Sequence, residues 1–77
     1  MSDLVLDIVQ RLTQLYEEVS VRERDLDDGQ VLLLIDVPEE DRGRVIGRQG
    51  RTIDALRTLV GAVAERNGTR FRLDLVE

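Results

Sequence analysis

The sequence predicts an α+β fold, a two-layer sandwich in which three helices cover one face of a three-stranded mixed sheet. Segments with apolar residues at helical spacing are interspersed with segments whose apolar residues alternate or run continuously. Turns containing glycine or proline separate them, in the order helix, strand, strand, helix, helix, strand, or αββααβ. A chain of 77 residues suffices for one small domain, residues 1–77, with a single modest core.

The first predicted helix spans about residues 3–17. Its apolar residues recur every three or four positions, which is the period of an amphipathic helix. They are Leu4, Ile8, Leu12, Leu15 and Val19, flanked by Val5, Val9 and Tyr16. We expect Ser2 or Asp3 to cap this helix, because a side-chain oxygen at that position accepts hydrogen bonds from the free amides of the first turn.

Two strands joined by a tight turn follow the first helix. Residues 19–26 alternate in part between apolar and polar, and Asp27-Asp28-Gly29 is typical of a hairpin turn because glycine adopts a positive φ at little cost. Residues 30–37 are almost continuously apolar, which predicts a central strand. Pro38 ends this strand because it has no amide to donate to the sheet.

Two helices and a third strand complete the predicted order. A short helix spans residues 39–46, and three acidic residues place negative charge at the positive end of its dipole. The next helix runs from about residue 51 to residue 66 and ends at Asn67-Gly68. A half-buried strand follows at residues 70–75. After a two-helix connection this strand is expected to lie parallel to the second strand, whereas the hairpin pair is antiparallel.

The residue types that the chain lacks exclude most catalytic chemistry. Without Cys, His or Lys, there is no thiol nucleophile, imidazole base, Cys/His zinc site, Schiff base or phosphate-binding lysine. The 16 carboxylates form no motif with a nucleophile or with metal-ligand spacing. We therefore expect no enzyme, catalytic residue, metal, cofactor or small-molecule substrate. No secretory signal or membrane-spanning apolar run is recognisable, so we expect a cytoplasmic protein without a membrane partner.

Charge is distributed unevenly along the chain, whose net charge is −5. Residues 1–41 carry 3 arginines against 12 acids, or −9, and residues 42–77 carry 8 arginines against 4 acids, or +4. Five of the arginines lie within residues 42–57, where Asp54 is the only acid. This pattern fits a phosphate-binding surface and also an ordinary solvated helix face, so charge alone leaves both interpretations open.

The most informative segment is the glycine-containing loop Gly47-Arg48-Gln49-Gly50 between the two later helices. Glycines have no Cβ to keep a ligand away, so a phosphodiester can lie directly on the main chain. Amides at the start of the following helix add partial positive charge. The neighbouring arginines supply full charges and forked donors, and they are Arg44, Arg48 and Arg51.

Three other interpretations of these glycines compete with phosphate binding by this loop. The spacing of Gly43, Gly47 and Gly50 resembles a dinucleotide-binding pattern, but that fold needs several βαβ units, and this loop joins two helices. A P-loop requires a lysine, which the chain lacks. In the third interpretation the glycines only permit a bend between two helices.

The loop, with Val45-Ile46 before it and Ile53 after it, resembles the signature of the KH domain, a module that binds single-stranded nucleic acid. The order of elements resembles the type II version of that fold, and the whole chain resembles the small bacterial proteins made of a single KH domain. The resemblance implies that the loop clamps the backbone of about four nucleotides of RNA. The RNA-binding residues that it implies are Gly47, Arg48, Gln49, Gly50, Arg44, Arg51, Ile46 and Ile53.

The family pattern also implies a groove for the bases between the two later helices and the last strand. Arg70 and Arg72 are further candidates for its far wall, and Ile46 is interpreted as a core residue as well as a groove residue. Tyr16 in the helical stripe and Phe71 on the inward side of its strand leave no evident aromatic platform for stacking bases. We therefore expect weak, salt-sensitive binding of single-stranded RNA with low sequence preference, as in an RNA chaperone or post-transcriptional regulator.

The alternative is a protein-interaction module. The resemblance implies a homodimer, or a pairing with a second KH-domain protein. A small core gains stability from an additional apolar interface. The helix that carries Ile53, Leu56 and Leu59, or an edge strand, would supply that interface.

Overall fold

The computed structural model describes residues 1–77 and contains three α-helices and three strands in the predicted order. The helices are α1 (Ser2–Leu12), α2 (Glu39–Ile46) and α3 (Arg51–Arg66), and the strands are β1 (Ser20–Asp25), β2 (Gln30–Asp36) and β3 (Arg70–Leu75). Short 3-10 turns lie at Tyr16–Glu18 and Arg48–Gly50. None of the helices combines the length and the apolar character that crossing a membrane requires.

The sheet has the predicted mixed topology, with β2 between β1 and β3. β1 pairs antiparallel with β2, and β3 pairs parallel with it. The continuous apolar run of β2 follows from its central position. Leu33 and Ile35 are fully buried on one face, while Leu32 and Leu34 on the other face are only partly buried.

The hydrophobic core lies between the sheet and the three helices. It contains eleven buried apolar residues, namely Val5, Val9, Val19, Leu33, Ile35, Val37, Val45, Ile53, Leu56, Val60 and Leu73. Every helix contributes to this cluster, whereas the opposite face of the sheet contributes no residue to it. The predicted two-layer α+β fold with three helices on one face is therefore confirmed, and the other face of the sheet has no helical layer.

The first helix is shorter than predicted, because it ends at Leu12 and not near residue 17. Thr13 adopts an extended conformation with φ −110° and ψ 153°. The amides of Gln14 and Leu15 then donate to the carboxylate of Asp41, at 3.0 and 2.9 Å. The hydrogen bonds that would continue the helix are thereby redirected to a side chain 26 to 27 residues away.

The buried face of α1 also differs from the prediction. Val5 and Val9, which were expected at the flank of the apolar stripe, are fully buried, whereas Leu12 remains 36% exposed. The expected cap is wrong, because Ser2 and Asp3 lie inside the helix and neither side chain caps it. The buried face of α1 is therefore centred on Val5 and Val9, one residue further along the chain than the predicted Leu4 and Ile8.

Asp41 is a fully buried carboxylate in the first turn of α2. Besides the amides of Gln14 and Leu15, Nη1 of Arg44 donates to it at 2.9 Å. The two backbone hydrogen bonds, assisted by Arg44, hold the pKa of Asp41 below its ordinary value, although burial acts in the opposite direction. A single carboxylate thus ties α2 to the segment that follows α1.

The GxxG loop, residues 47–50, turns the chain sharply between α2 and α3. Gly47 has φ 76° and ψ 171°, and Gln49 and Gly50 also have positive φ, at 57° and 75°. A Cβ on Gly47 would lie 2.7 Å from the backbone nitrogen of Thr52 and 2.2 Å from its Oγ1. The close approach of the two backbones therefore requires glycine at position 47. At Gly50 the nearest atom to a Cβ would be 3.9 Å away, so only its φ disfavours a side chain.

Replacing Asp41 by Asn is expected to lower the Tm by several degrees at neutral pH. The amide group of the new side chain places a donor against backbone donors, and the charge that pairs with Arg44 is lost. Because folding lowers the pKa of Asp41, its stabilisation is fully present above the ordinary value of 3.8 and is lost as the pH falls through the folded-state pKa. Thermal unfolding of both proteins from about pH 7 to about pH 2 should show the difference shrinking in acid.

The matched control is Glu40→Gln, which removes the same charge from an exposed side chain on the same helix. Its Tm should stay close to that of the wild type. Equal losses in the two variants, or a deficit of Asp41→Asn that does not change with pH, would contradict this role of Asp41.

Three glycine-to-alanine variants should separate the constraints on the turn. Gly47→Ala is expected to destabilise by about 2 kcal/mol or more, because its Cβ meets the Thr52 backbone. Gly50→Ala should cost about 1 to 2 kcal/mol for its left-handed backbone alone. Gly43→Ala, in open space within α2, should be neutral or stabilising by up to about 1 kcal/mol. Urea unfolding measures all three, and equal stability of Gly47→Ala and Gly43→Ala would contradict the steric requirement at position 47.

Candidate nucleic-acid interface

The side chains at the tip of the GxxG loop face solvent. Arg48 and Gln49 are exposed, and the side chain of Arg48 makes no hydrogen bond or ion pair within the chain. Arg51, the first residue of α3, is also exposed, and its Nη2 donates to Oε1 of Gln49 at 3.4 Å. The loop therefore exposes two guanidinium groups next to the side-chain amide of Gln49. The guanidinium of Arg48 has no partner within the chain, and that of Arg51 makes one long hydrogen bond.

Arg44, the third arginine assigned to the loop, is placed differently. Its Nη1 contacts the buried carboxylate of Asp41 at 2.9 Å, and its side chain is 43% exposed. Much of its charge is therefore balanced within the fold. The structure places Arg48 and Arg51 at the loop but pairs Arg44 with the buried carboxylate of Asp41.

A groove of about 580 Å³ lies between the two later helices and the last strand. Four apolar and four charged residues line it, namely Leu34, Arg42, Ile46, Ile53, Arg57, Asp74, Leu75 and Glu77. The groove implied by the resemblance is thus present, bounded by α2 and α3 on one side and by β3 and the residues after it on the other.

Ile46 and Ile53 form the helical wall of this groove. Ile53 is only 7% exposed and also belongs to the core cluster. Ile46, at the end of α2, lies outside that cluster, so its interpretation as a core residue is wrong. The reason is that Val45 already occupies the inward position of this turn, which leaves its neighbour facing the groove.

Arg42 and Arg57 line the groove, although they were not among the candidate site residues. Each lies four positions from a groove isoleucine, and residues four apart share one face of a helix. That spacing in the sequence could have identified both arginines as groove residues. Nη1 of Arg42 donates to the carbonyl oxygen of Val76, and Nε and Nη2 of Arg57 donate to that of Leu73 at 3.1 and 3.0 Å. The two arginines therefore tie the helical wall to the last strand.

Arg70 and Arg72 do not line the groove, which corrects the expectation that they form its far wall. They alternate with Phe71 and Leu73 along β3 and so lie on the side of the sheet that faces away from the helices. Arg70 donates instead to the carbonyl oxygen of Asp28 in the hairpin turn.

Neither aromatic residue of the chain lines the groove. Tyr16 lies in a 3-10 turn beside Glu17 and Glu18 with 53% of its surface exposed, so its placement in a helical stripe is wrong. Phe71 is partly buried, as predicted from its strand position, and packs near Gly61 of α3. The groove accordingly offers aliphatic and charged contacts but no ring on which a base could stack.

Comparison with known proteins finds similar sequences over nearly the whole chain. A family model described as "KhpA/KhpB, KH domain" matches residues 2–75. A protein named RNA-binding protein KhpA from Listeria monocytogenes is 42% identical over 77 residues, with both chains covered completely. The KhpA of Chlamydia caviae is 35% identical over 77 residues, which cover 100% of this chain and 97% of that protein. The KhpA of Streptomyces coelicolor is 48% identical over 61 residues, covering 79% and 72% of the two chains.

No solved structure matches the chain significantly. The family match spans nearly all of the sequence, and the observed element order αββααβ agrees with it. The resemblance to the small bacterial single-KH-domain proteins, inferred from the GxxG loop and its flanking residues, is therefore confirmed. The chain belongs to the KhpA/KhpB family of KH-domain proteins.

Proposed function

We propose that this chain is a small RNA-binding protein that holds the backbone of single-stranded RNA on its GxxG loop. The observation that carries the proposal is the exposed, uncommitted side chain of Arg48 at the tip of a glycine turn that borders a groove. The relatives named RNA-binding protein KhpA support the same class of ligand.

The loop would bind phosphate through both backbone and side chains. α3 begins at Arg51 without a side-chain cap. The amide of Arg51 donates to the carbonyl oxygen of Arg48, and the amides that follow it lie at the positive end of the helix dipole, where an anion is favoured. Gly50 immediately precedes these amides and presents no Cβ to a ligand. Arg48 and Arg51 add full positive charges on either side of the turn.

The groove would receive the bases of about four nucleotides. Ile46, Ile53 and Leu75 offer aliphatic contact, which does not distinguish one base from another. Asp74 and Glu77 also line the groove. Asp74 is paired with Arg57 and Arg72, whereas Glu77 forms no ion pair, and its charge opposes the approach of phosphates. We infer weak, salt-sensitive binding with low sequence preference. Such binding suits an RNA chaperone or a post-transcriptional regulator that acts on many cytoplasmic RNAs and performs no catalysis.

A second candidate function is protein interaction, and an apolar cleft between α1 and α3 favours it. The cleft has a volume of about 210 Å³ and is lined by Ile8, Leu12, Thr52, Ala55, Leu56 and Leu59. Leu59 is 47% exposed and Leu12 is 36% exposed, whereas Ile53 and Leu56 are buried. Of the three α3 residues considered for an interface, Leu59 is thus the exposed one. It would pair with a second copy of the chain or with another KH-domain protein.

The double variant Arg48→Asp/Gln49→Asp should weaken RNA binding at least about tenfold, because two carboxylates replace donors at the phosphate site. The substitution should preserve the fold, because the left-handed backbone of position 49 is one that Asp tolerates well. Fluorescence anisotropy with a labelled single-stranded RNA of about eight nucleotides at low salt measures the affinity. Wild-type affinity should fall steeply with added salt.

The matched control is Arg66→Asp/Asn67→Asp, which makes the same charge change on two exposed neighbours at the end of α3. This control should retain affinity within about threefold. If the loop variant is folded by circular dichroism and binds RNA as tightly as the control, the loop is not the RNA clamp.

The interaction surface can be tested separately. Leu59→Glu should shift any dimer toward monomer, because it places a charge in the apolar cleft. Thr58→Glu, an exposed neighbour outside the cleft, should leave the assembly unchanged. Light scattering over a range of concentrations distinguishes the two, and a wild-type protein that is monomeric at every concentration would contradict self-association.

A further inference from the structure

The face of the sheet that the helices leave uncovered is rich in arginine. The strand registers place ten residues on this open face: Ser20, Arg22 and Arg24 of β1, Gln30, Leu32, Leu34 and Asp36 of β2, and Arg70, Arg72 and Asp74 of β3. Four arginines against two acids give the face a charge of +2, on a chain whose net charge is −5. We propose that this face is a second RNA-contact surface, which binds phosphates of the same strand as it leaves the groove.

The edge strand β1 carries its positively and negatively charged side chains on opposite faces of the sheet. Its alternating residues place Arg22 and Arg24 on the open face and Glu23 and Asp25 on the other. The two acids of β1 are therefore directed away from this surface. Both arginines are exposed, and neither side chain makes a hydrogen bond or an ion pair within the chain.

Asp74, the acidic residue of the open face that lies next to the groove, is paired with two arginines. Asp74 lies 3.6 Å from Nη2 of Arg57 and 3.6 Å from Nη2 of Arg72. Asp36, the other acid, lies at the end of the hairpin beside Ser20. The positive charges of Arg22 and Arg24 therefore have no carboxylate partner on this surface and remain available to an anionic ligand.

The open face is continuous with the groove. Leu34 and Asp74 belong to the open face by register and also line the groove. Arg57, on the helical side of the groove, reaches across the edge of β3 to Asp74 and to the carbonyl oxygen of Leu73. An RNA strand that fills the groove can therefore pass over the edge of β3 without leaving the protein surface.

The arginines lie along the path that such a strand would take. Arg72, Leu32 and Arg24 are directly opposite one another across the three strands. Two strand spacings make this row about 10 Å long, and the step along β3 from Asp74 to Arg72 adds about 7 Å. This path of about 17 Å accommodates several nucleotides beyond those in the groove.

The chemistry of the face favours phosphate over an apolar partner. Leu32 and Leu34 are only partly exposed, and the large apolar side chains that are exposed in this chain all lie elsewhere. The face carries no aromatic residue on which a base could stack. Its contacts with RNA are therefore with the backbone and independent of sequence.

The inference rests on the proposed function, and RNA length separates the two. Arg22→Gln/Arg24→Gln should weaken binding of an RNA of about 12 nucleotides about fivefold to tenfold and leave binding of one of about 5 nucleotides within about twofold. The slope of log affinity against log salt for the longer RNA should become shallower by about 1.4, the value for two phosphate contacts with a single strand. The control Arg11→Gln/Arg66→Gln removes the same charge from exposed positions outside both surfaces and should leave both affinities unchanged.

Each failure has its own signature. The proposed function fails if Arg48→Asp/Gln49→Asp binds the shorter RNA as tightly as the wild type does. The open-face proposal fails if Arg22→Gln/Arg24→Gln binds the longer RNA as tightly as its control does, or if it loses the same affinity for both lengths. Unchanged binding of the longer RNA would leave the face to another anionic partner, such as an acidic protein helix.

Discussion

The close approach of Gly47 to Thr52 determines how the candidate interface is assembled. Because no side chain fits between the end of α2 and the first turn of α3, the chain turns sharply there and the backbones of the two helices approach closely. Arg42 and Ile46 on one helix then face the same groove as Ile53 and Arg57 on the other. The glycine that leaves the loop backbone open to a phosphate therefore also positions the groove walls.

Asp41 connects this interface with the rest of the fold. Its carboxylate accepts the amides of Gln14 and Leu15 just after the end of α1, and it pairs with Arg44 of α2. Arg44, one of the three arginines near the loop, therefore stabilises the fold by pairing with Asp41. The uncompensated positive charge at the loop is thus smaller than the count of arginines indicates, which supports the proposal of weak binding.

Local signals in the sequence were sufficient to predict the element order, the bounds of α2 and α3 and the strand pairing. Pro38, the GxxG glycines and Asn67-Gly68 interrupt the pattern where the chain turns. The end of α1 was predicted wrongly because it depends on Asp41, 26 residues beyond Leu15 in the sequence, and three consecutive acids gave no indication of which one is buried. The groove roles of Arg42 and Arg57 likewise depend on carbonyl groups of the last strand and the residue after it.

The net charge of the chain is a poor guide to its ligand, because charge is separated at two levels. Along the sequence, the arginines concentrate after residue 41. Across the sheet, the alternation of β1 places Arg22 and Arg24 on one face and Glu23 and Asp25 on the other, so even the acidic half contributes to a basic surface. Over a Debye length of about 10 Å a phosphate senses the face next to it more strongly than the whole protein. An acidic chain can therefore bind RNA locally while its remaining surface repels it, which limits affinity without excluding the interaction.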